Sequence, residues 1–417
     1  METIHIYGGV PLQGEVEIQG SKNAVLPILA ASILTKGENL IGNCPKIADV
    51  FHMITLLKSM GCKVVWEDGG VSVNSDGLSS NTMPKEESIS MRSSITLLGA
   101  ILSRFGEALM EYPGGCVIGE RPIDIHIAAL EKMGVEFTDV ENRLHASTKG
   151  LKGADIRFSF PSVGATENMI LAAVLAEGQT TIENAAREPE IVALCEYLNA
   201  CGARISGCGT SVLQIQGVES LNGTRYEVPA DRIVAGTYLY GCLAAGGDIL
   251  LKGAVQEDMQ AVLSQVEMMG AQCQCSREGI YMQAPDRPES NCIVRTEVFP
   301  GFPTDLQSPL LVAMSVAKGD GFIEETIFEN RFHIVKPLRE MGARITVLDK
   351  KHLNVQGVES LHGCRIQAQE LRGGAALVLA GLCAQGETVI EGCKYIERGY
   401  ENICKDLREL GARVYCV

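Results

Sequence analysis

The feature that most constrains the fold of this chain is a phrase that recurs six times along its 417 residues. In each copy a leucine or valine near the end of an amphipathic stretch is followed four residues later by a glycine, as at a helix C-terminus. The glycines, spaced 68 to 73 residues apart, are Gly61, Gly134, Gly202, Gly270, Gly342 and Gly411. An internal period of this length predicts a chain built from six copies of one supersecondary unit.

A second phrase, rich in alanine and leucine, lies earlier in each copy. NAVLPILAASILTKG in the first copy and GAALVLAGLCAQG in the last are examples. These segments are apolar nearly all round, which predicts buried helices, whereas the first phrase predicts helices with one solvent-facing side. Each repeat is therefore predicted as strand, buried helix, strand, outer helix, strand, strand. Since one repeat cannot bury its apolar helix alone, we expect an α/β fold of two lobes with three repeats each.

The two ends of the chain indicate how the lobes are completed. QGVESLNG at 216–223 and QGVESLHG at 356–363 are near copies, and HIYGGVPLQG at 5–14 looks like a third version. The chain therefore begins inside a repeat, while the sixth repeat stops soon after Gly411, short of its last strand. We expect the N-terminal strands to pair with the C-terminal lobe. The predicted lobes are residues 22–229 and residues 1–21 plus 230–417.

The charge balance excludes some classes of partner. The net charge is −15, from 51 acidic and 36 basic side chains. A general binder of nucleic acid or of anionic membranes carries the opposite sign, so neither partner is expected. The longest run without a charged residue, from Ile233 to Gly247, has 15 residues and is too short to span a bilayer. No secretory signal is visible, so a cytoplasmic protein is expected.

The 15 cysteines are scattered along the chain. Because disulfides are rare in the cytosol, most are expected to be small buried apolar side chains. Cys273 and Cys275 form an isolated C-x-C without a second pair at zinc spacing, and the sequence has no H-E-x-x-H motif. The sequence therefore predicts no metal site, and it gives no sign of another cofactor.

Most of the predicted buried helices begin at a charged residue, although the rest of each helix is apolar. Fourteen or fifteen positions before the closing glycine of each helix lie Lys22, Arg92, Gly164, Asp231, Asp305 and Arg372. Helix N-termini offer free N–H donors and about half a positive charge, so two lobes with converging helix starts would enclose a cleft suited to phosphates. Helix capping is the alternative role for the two aspartates. Capping does not explain the three cations, which oppose the helix dipole and therefore indicate a bound anion.

The loops before the outer helices carry a second set of polar residues. Cys116 lies in PGGCVIGERPIDIH, next to glycines and five residues before Arg121. A nearby guanidinium and local N–H groups lower a thiol pKa from about 8.5, which makes the thiol reactive. The alternative is one more structural cysteine, as the other fourteen are expected to be. Later loops hold the pairs Arg187–Glu188, Asn330–Arg331 and Glu397–Arg398.

Taken in order, these segments resemble the UDP-N-acetylglucosamine 1-carboxyvinyltransferases, a branch of the enolpyruvyl transferase family. The resemblance covers the full length and rests on GEVEIQGSKNAVLPILAASIL, MRSSI, PGGCVIGERPIDIH, FPSVGATEN, NAAREPEI, FPTDLQSP, ENRF, ELRGGAALV and IERGY. It implies a two-lobed inside-out α/β barrel with threefold repetition in each lobe, in agreement with six repeats. It also implies transfer of the enolpyruvyl group of phosphoenolpyruvate to the 3-hydroxyl of UDP-N-acetylglucosamine. Phosphate is released in this reaction, the first committed step of peptidoglycan precursor synthesis for the cell wall.

The resemblance also assigns roles to individual residues. Cys116 matches the loop cysteine that donates a proton to the methylene carbon, and Asp305 matches the carboxylate that binds the sugar hydroxyl and can act as its base. The groups that bind phosphoenolpyruvate match Lys22, Asn23, Arg121 and Arg398. The nucleotide and sugar side matches Asn23, Arg92, Arg121, Pro122, Ile123, Asp124, Ile125, His126, Ser162, Val163, Gly164, Asp305 and Ile327. Supporting positions are Glu188, Asp231, Arg331, Glu370 and Arg372.

The sequence departs from the family pattern at three positions. Glu370 stands where the family usually has Asp, and the longer carboxylate could shift a contact in the active site. Ser21 replaces the usual Ala before Lys22. Phe160 stands where some members place a Lys that reaches the diphosphate, so another group must supply that charge.

Two other functions stay open on the sequence. The first is 3-phosphoshikimate 1-carboxyvinyltransferase, a sister enzyme with the same fold and the same early lysine. Asn23 directly after Lys22 and the thiol of the PGGC loop argue against it. The second is a non-catalytic paralogue that binds the nucleotide sugar, which only Glu370 favours.

Overall fold

The computed structural model describes residues 2–85, 92–112, 123–290 and 292–417. They form two compact units, each with its own apolar core. The first unit comprises the described residues between 20 and 229, and the second comprises residues 2–19 together with those between 230 and 417. Within the described ranges, no helix is long and apolar enough to cross a membrane.

The helices of each unit fall into a buried set and an outer set, as the two recurring phrases predict. The buried helices of the first unit are α1 (Lys22–Ala31), α3 (Leu97–Phe105) and α5 (Val163–Ala173), and the outer ones are α2 (Ala48–Ser59), α4 (Asp124–Lys132) and α6 (Pro189–Ala200). The buried helices of the second unit are α7 (Arg232–Ala245), α9 (Gln307–Val316) and α11 (Leu371–Cys383), and the outer ones are α8 (Gln260–Met268), α10 (Val335–Glu340) and α12 (Ile403–Glu409). Short 3-10 helices cover Ser32–Leu34, Arg92–Thr96, Gln256–Asp258, Thr304–Leu306, Phe332–Ile334 and Cys393–Arg398.

The predicted difference between the two kinds of helix is confirmed. Every residue of α9 is buried, and α7, α9 and α11 pack against one another at the centre of the second unit. In the first unit α3 packs against both α1 and α5. The glycines that close the outer helices have φ between 83° and 106° in all six repeats. Because side chains disfavour that backbone conformation, glycine is the residue expected there.

The strands are short, and most sheets repeat one plan. In the first unit they are β3 (Thr35–Lys36), β4 (Glu38–Gly42), β5 (Lys63–Glu67), β6 (Gly70–Asn74), β7 (Glu107–Glu111), β8 (Glu136–Val140), β9 (Arg143–Ser147), β10 (Asp155–Arg157), β11 (Gln179–Glu183), β12 (Arg204–Ser206), β13 (Val212–Gln216), β14 (Leu221–Asn222) and β15 (Arg225–Glu227). In the second unit they are β1 (Thr3–Tyr7), β2 (Leu12–Glu17), β16 (Gly247–Lys252), β17 (Gln272–Cys275), β18 (Gly279–Gln283), β19 (Ile293–Arg295), β20 (Asp320–Glu324), β21 (Arg344–Val347), β22 (His352–Gln356), β23 (Leu361–His362), β24 (Arg365–Gln367), β25 (Ala384–Gln385), β26 (Glu387–Glu391) and β27 (Arg413–Cys416).

The common plan is a parallel edge strand followed by antiparallel pairs. In β10-β11-β13-β12, for example, β10 runs parallel to β11, and the remaining pairs are antiparallel. The sheets β15-β4-β6-β5, β19-β20-β22-β21 and β24-β26-β1-β27 follow the same order. In β7-β9-β8 the parallel edge is reduced to a single bridge between Thr82 and Leu109.

Distant parts of the chain complete the sheets within each unit. β1 lies between β26 and β27, so that Ile4 is opposite both Ile390 and Cys416. β2 pairs in parallel with β16, and the remaining strands of that sheet are β18 and β17. In the first unit, β15 from the end of its third repeat pairs in parallel with β4 of its first repeat. Each unit is thus closed by strands that are far apart in sequence.

The cysteines depart from the sequence-based expectation at one place. Cys404 of α12 and Cys416 of β27 form a disulfide, with Cα atoms 6.7 Å apart, whereas most cysteines were expected to be small buried apolar side chains. The chain reverses at Gly411 between the helix and the strand, which brings two cysteines of the same repeat together. Among the described free cysteines, Cys275 is the exposed one, and the others are buried or half-buried as expected.

Candidate functional site

Lys22 is the first residue of α1, and it is nine-tenths buried. Its Nζ lies 2.8 Å from Oδ2 of Asp49, a buried residue in the first turn of α2. The sequence predicted an anion beside this lysine, and the structure supplies one from the protein itself. An ion pair between two buried side chains restricts both, so Asp49 holds the ammonium in one place. Asn23 follows in the same helical turn and is half-buried.

The start of α5 brings together several residues that the sequence assigned to nucleotide binding. Ser162 caps the helix, because its Oγ accepts a hydrogen bond from the N–H of Ala165 at 3.3 Å. The ring of His126 packs against Gly164 in the first turn of this helix, since a Cβ added to Gly164 would lie 3.4 Å from the Cε1 atom of the histidine. Val163 is the first residue of the helix. The helix N-terminus and the imidazole therefore form one polar surface.

Asn168 determines which nitrogen of His126 carries the proton. Its Oδ1 accepts a hydrogen bond from the N–H of Gly99 at 2.6 Å, which orients the amide. Its Nδ2 then donates to the carbonyl oxygen of Ile95 at 2.8 Å and lies 3.0 Å from Nδ1 of His126. Nδ1 must therefore accept, and in the neutral ring the proton is on Nε2, as inferred from this network.

A fully buried carboxyl group that the sequence reasoning missed lies on the same helix. Burial raises the pKa of Glu167 from its ordinary 4.5 to about 8, opposed by a hydrogen bond from Thr96 and assisted by the negative charges of Glu190 and Glu188. Glu167 is thus mainly protonated at neutral pH. Glu188, predicted as a supporting residue, is the N-cap residue of α6. The sequence signal was a glutamate, flanked by Thr166 and Asn168, in a helix whose other residues are apolar or glycine.

Other predicted residues of the first unit start α4 or fall outside the described ranges. Ile123 is the N-cap residue of α4, and Asp124 and Ile125 are its first helical residues. Asp124 places a negative charge in the first turn, which the helix dipole favours. Arg92 begins the 3-10 helix Arg92–Thr96. The predicted residues Cys116, Arg121 and Pro122 lie outside the residues that the structure describes.

In the second unit, Asp305 is held between two arginines. Its Oδ2 lies 3.1 Å from Nε and 3.0 Å from Nη2 of Arg372, and its Oδ1 accepts a hydrogen bond from Arg331. Arg331 also donates to the carbonyl oxygen of Thr304 at 3.2 Å. Both arginines are buried, whereas the carboxylate of Asp305 is 27% exposed. Asp305 is therefore oriented from its buried side and accessible from the other.

Arg372 connects this carboxylate to a buried tyrosine. Burial alone would lower the pKa of Arg372. The nearby groups Asp305, Tyr400 and Asp231 favour the charged form, and their effect outweighs burial and raises this pKa above its ordinary value, so the guanidinium stays charged. Its carbon Cζ lies 5.8 Å from the ring centroid of Tyr400. The tyrosine hydroxyl lies 2.8 Å from Oγ1 of Thr237, which itself donates to the carbonyl oxygen of Ile233. The tyrosine must therefore be the donor to Thr237.

The two aspartates that begin buried helices have different roles. Asp231 is the N-cap residue of α7, because its Oδ1 accepts hydrogen bonds from the N–H groups of Ile233 and Val234 at 2.8 and 3.1 Å. The capping interpretation is right for Asp231. It is wrong for Asp305, whose carboxylate binds Arg331 and Arg372 instead.

Glu370, one of the three departures from the family pattern, is also a helix cap. Its Oε2 accepts a hydrogen bond from the N–H of Arg372 at 2.8 Å, and its Oε1 accepts one from Gly373. The side chain therefore binds the start of α11 as the shorter Asp would. The longer carboxylate thus keeps a structural role beside Arg372.

The loop that carries Ile327 is held close to Asp305 by a residue that the sequence did not indicate. The fully buried Glu325 accepts hydrogen bonds from the N–H of Ile327 at 2.9 Å and from Oγ1 of Thr304 at 2.9 Å. Thr304 directly precedes Asp305 in the same 3-10 helix.

Arg398 ends the 3-10 helix Cys393–Arg398. In the parts of the chain that the structure describes, no group of three or more His, Cys, Asp or Glu side chains could hold a metal ion.

Comparison with known proteins assigns this fold to a class. The family model of EPSP synthase (3-phosphoshikimate 1-carboxyvinyltransferase) matches residues 6–407. The enolpyruvyl transferase NikO from Streptomyces tendae has a similar structure, with a TM-score of 0.89, 22% identity and coverage of 99% of this chain and 98% of that one. EPSP synthase from Acinetobacter baumannii superposes with a TM-score of 0.75 at 18% identity, over 100% of this chain and 99% of that one. The fold is that of the enolpyruvyl transferases, which confirms the predicted fold class.

Sequence relatives identify the branch. A UDP-N-acetylglucosamine 1-carboxyvinyltransferase 2 from Caldanaerobacter subterraneus subsp. tengcongensis is 42% identical over 414 residues, and one from Nitratidesulfovibrio vulgaris is 44% identical over 414 residues. In both cases the match covers 99% of each chain. The chain belongs to the UDP-N-acetylglucosamine 1-carboxyvinyltransferase family and is an enzyme, which confirms the resemblance seen in its motifs.

Proposed function

We propose that this enzyme transfers the enolpyruvyl group of phosphoenolpyruvate to the 3-hydroxyl of UDP-N-acetylglucosamine and releases phosphate. The structural observation that carries the proposal is the accessible carboxylate of Asp305, oriented by two buried arginines, at a position that the family motif FPTDLQSP marks. The full-length identity of 42% to 44% with enzymes named for this activity supports the choice of acceptor. The reaction begins peptidoglycan precursor synthesis, and we place it in the cytoplasm.

The proposed reaction is an addition followed by an elimination. The sugar oxygen forms a bond to C2 of phosphoenolpyruvate while a proton is added to its methylene carbon. The C2–O bond to phosphate then breaks, and a proton leaves the methyl carbon, which restores the double bond. The chemistry therefore needs a base for the hydroxyl, a proton donor for the methylene carbon and cations for a trianionic substrate.

Asp305 is the proposed partner of the sugar hydroxyl. Its carboxylate binds Arg372 through one oxygen and Arg331 through the other, so it cannot turn away from the position that those contacts define. An oriented carboxylate loses less entropy when it accepts a hydroxyl proton. Cys116 is the proposed proton donor to the methylene carbon.

Three basic residues are proposed to bind phosphoenolpyruvate. Lys22, fixed by Asp49, contributes one charge, and Arg398 contributes another. Arg121 is proposed to bind the same substrate. Arginine forms two parallel hydrogen bonds with a carboxylate or a phosphate, which suits both anionic ends of this molecule.

The start of α5 is proposed to bind the diphosphate of the nucleotide sugar. Its backbone N–H groups and the positive end of the helix dipole attract an anion without a lysine at Phe160. His126 offers a further donor beside Gly164, because its Nε2 carries the proton when the ring is neutral. Arg92, Ile327 and the start of α4 are proposed to complete the nucleotide side.

A phosphate-release assay with each acceptor tests this function. We expect phosphate from phosphoenolpyruvate with UDP-N-acetylglucosamine and none with shikimate 3-phosphate. Asp305→Asn should reduce turnover by about 10²- to 10⁴-fold if the carboxylate is the base, whereas Asp320→Asn, at an exposed position of β20, is the matched control. Release with shikimate 3-phosphate would identify the sister enzyme, and nucleotide binding without release would identify a non-catalytic paralogue.

A further inference from the structure

Gln19 contacts the loop that carries Arg398, although the two are far apart in sequence. Its Nε2 donates a hydrogen bond to the carbonyl oxygen of Gly399 at 3.2 Å, and its Oε1 accepts one from the N–H of Glu401 at 2.8 Å. One half-buried carboxamide thus binds the backbone on both sides of Tyr400. A primary amide suits this position because it is at once a donor and an acceptor.

The main chain of Gln19 connects the same loop to a buried helix. Its carbonyl oxygen accepts a hydrogen bond from the N–H of Asp231 at 2.8 Å, and Asp231 is the N-cap residue of α7. Thr237 of that helix binds the hydroxyl of the buried Tyr400. Gln19 and α7 therefore hold residues 399–401 from two directions.

The position of this loop affects two of the proposed active-site arginines. Arg398 ends a 3-10 helix immediately before Gly399. A Cβ added to Gly399 would lie 2.9 Å from Cδ2 of Leu371 and 3.5 Å from Nη1 of Arg372, so the loop packs against both side chains. Without the amide, the two backbone groups that it binds would turn to water, and the segment after Arg398 would gain freedom.

We propose that Gln19 is a positioning residue for Arg398, which holds the 399–401 loop in the geometry that binds phosphoenolpyruvate. The inference rests on the proposed function, in which Arg398 binds that substrate. Gln19 lies within the motif GEVEIQGSKNAVLPILAASIL, but the motif does not indicate this role, because the partners of Gln19 lie 380 and 382 positions away.

The test is a double-mutant cycle with a separate KM for each substrate. Gln19→Ala removes both hydrogen bonds, Gln19→Met removes them while it keeps the length of the side chain, and Gln13→Ala, at an exposed position of β2, is the matched control. Both Gln19 variants should raise the KM for phosphoenolpyruvate about three- to tenfold, which corresponds to one or two lost hydrogen bonds. The KM for UDP-N-acetylglucosamine and the melting temperature should stay close to those of the control. In an Arg398→Ala background, Gln19→Ala should have little further effect on the KM for phosphoenolpyruvate.

The possible outcomes separate this inference from the proposed function. If Arg398→Ala raises the KM for phosphoenolpyruvate and the Gln19 variants do not, the inference alone is overturned. It is also overturned if the two effects multiply in the double variant, or if both KM values rise together with a lower melting temperature. An unchanged KM for phosphoenolpyruvate in Arg398→Ala would instead remove Arg398 from the proposed site, and the inference with it.

Discussion

The buried carboxyl of Glu167 should make the stability of this protein fall as pH rises. Its pKa is about 8 in the folded chain and close to 4.5 in the unfolded chain, where the side chain is hydrated. Between these two values the folded state holds a proton that the unfolded state has lost. The free energy of unfolding therefore decreases with pH in this range, by about 1.4 kcal/mol per pH unit from this group alone. Below pH 4.5 both states are protonated, and the contribution is constant.

Glu167→Gln removes the titration and keeps the shape of the side chain. Between pH 4.5 and pH 8 the wild-type penalty accumulates to about 5 kcal/mol as an order of magnitude, since burial is its main cause. The variant has its own cost of about 1 to 3 kcal/mol, because the new NH₂ group is buried and needs an acceptor. We therefore expect the variant to be less stable than the wild type near pH 4.5 and more stable, by roughly 2 to 4 kcal/mol, near pH 8.

Urea unfolding of both proteins at pH values from 4.5 to 8.5 measures this difference. Glu177→Gln is the matched control, because this exposed glutamate follows the same helix and its variant should run parallel to the wild type. The difference between Glu167→Gln and wild type should change sign within the range. Parallel curves for the two proteins would show that Glu167 titrates at its ordinary pKa, and the assignment of a protonated carboxyl would be wrong.

Three further changes test other parts of the structure. Fosfomycin should alkylate Cys116 first, and Cys116→Ala should abolish both labelling and most turnover. Cys116→Asp should resist the drug, while its carboxylic acid replaces the thiol as proton donor. Peptide mass spectrometry that finds the adducts mainly on other cysteines would contradict this prediction. Arg398→Ala should weaken phosphoenolpyruvate binding by about 1.5 to 3 kcal/mol and leave nucleotide-sugar binding intact, and calorimetry with the reverse pattern would place Arg398 on the other substrate. Glu370→Asp should keep both stability and activity. Glu370→Ala should lower the free energy of unfolding by about 1 kcal/mol, because it removes the cap of α11. Equal melting temperatures for the two variants would refute the capping role.

The sequence allowed the helices and their burial to be predicted because the relevant signals are local. The closing glycines and the apolar segments before them mark the helices of all six repeats, and both are visible within a window of about fifteen residues. The positions of Lys22, Asp305 and Arg372 at helix starts followed from the same pattern. The enzyme family followed from the ordered motifs, which the full-length relatives confirm.

The partners of these residues could not be predicted in the same way. Asp49 and Glu325 lie outside the motifs, and Gln19 lies inside GEVEIQGSKNAVLPILAASIL, which gives no sign of its partners. The pairing of Asp305 with Arg372 is a contact that depends on how α9 and α11 pack. A pattern of polar and apolar residues indicates which side chains are buried, but it does not indicate which buried charges meet.

By itself, then, the sequence determined the number of repeats, the two kinds of helix and the chemical groups at the helix starts. The tertiary structure alone decided that Asp305 is shared by two arginines, that Lys22 has a resident carboxylate, and that Glu167 is buried deeply enough to keep its proton. The physical reason is distance along the chain. Thr96 and Glu167 are 71 residues apart, and Asp305 and Arg372 are 67 apart, so each pair joins neighbouring repeats rather than neighbouring residues. Local periodicity specifies each repeat, whereas contacts such as these two form where repeats pack against one another.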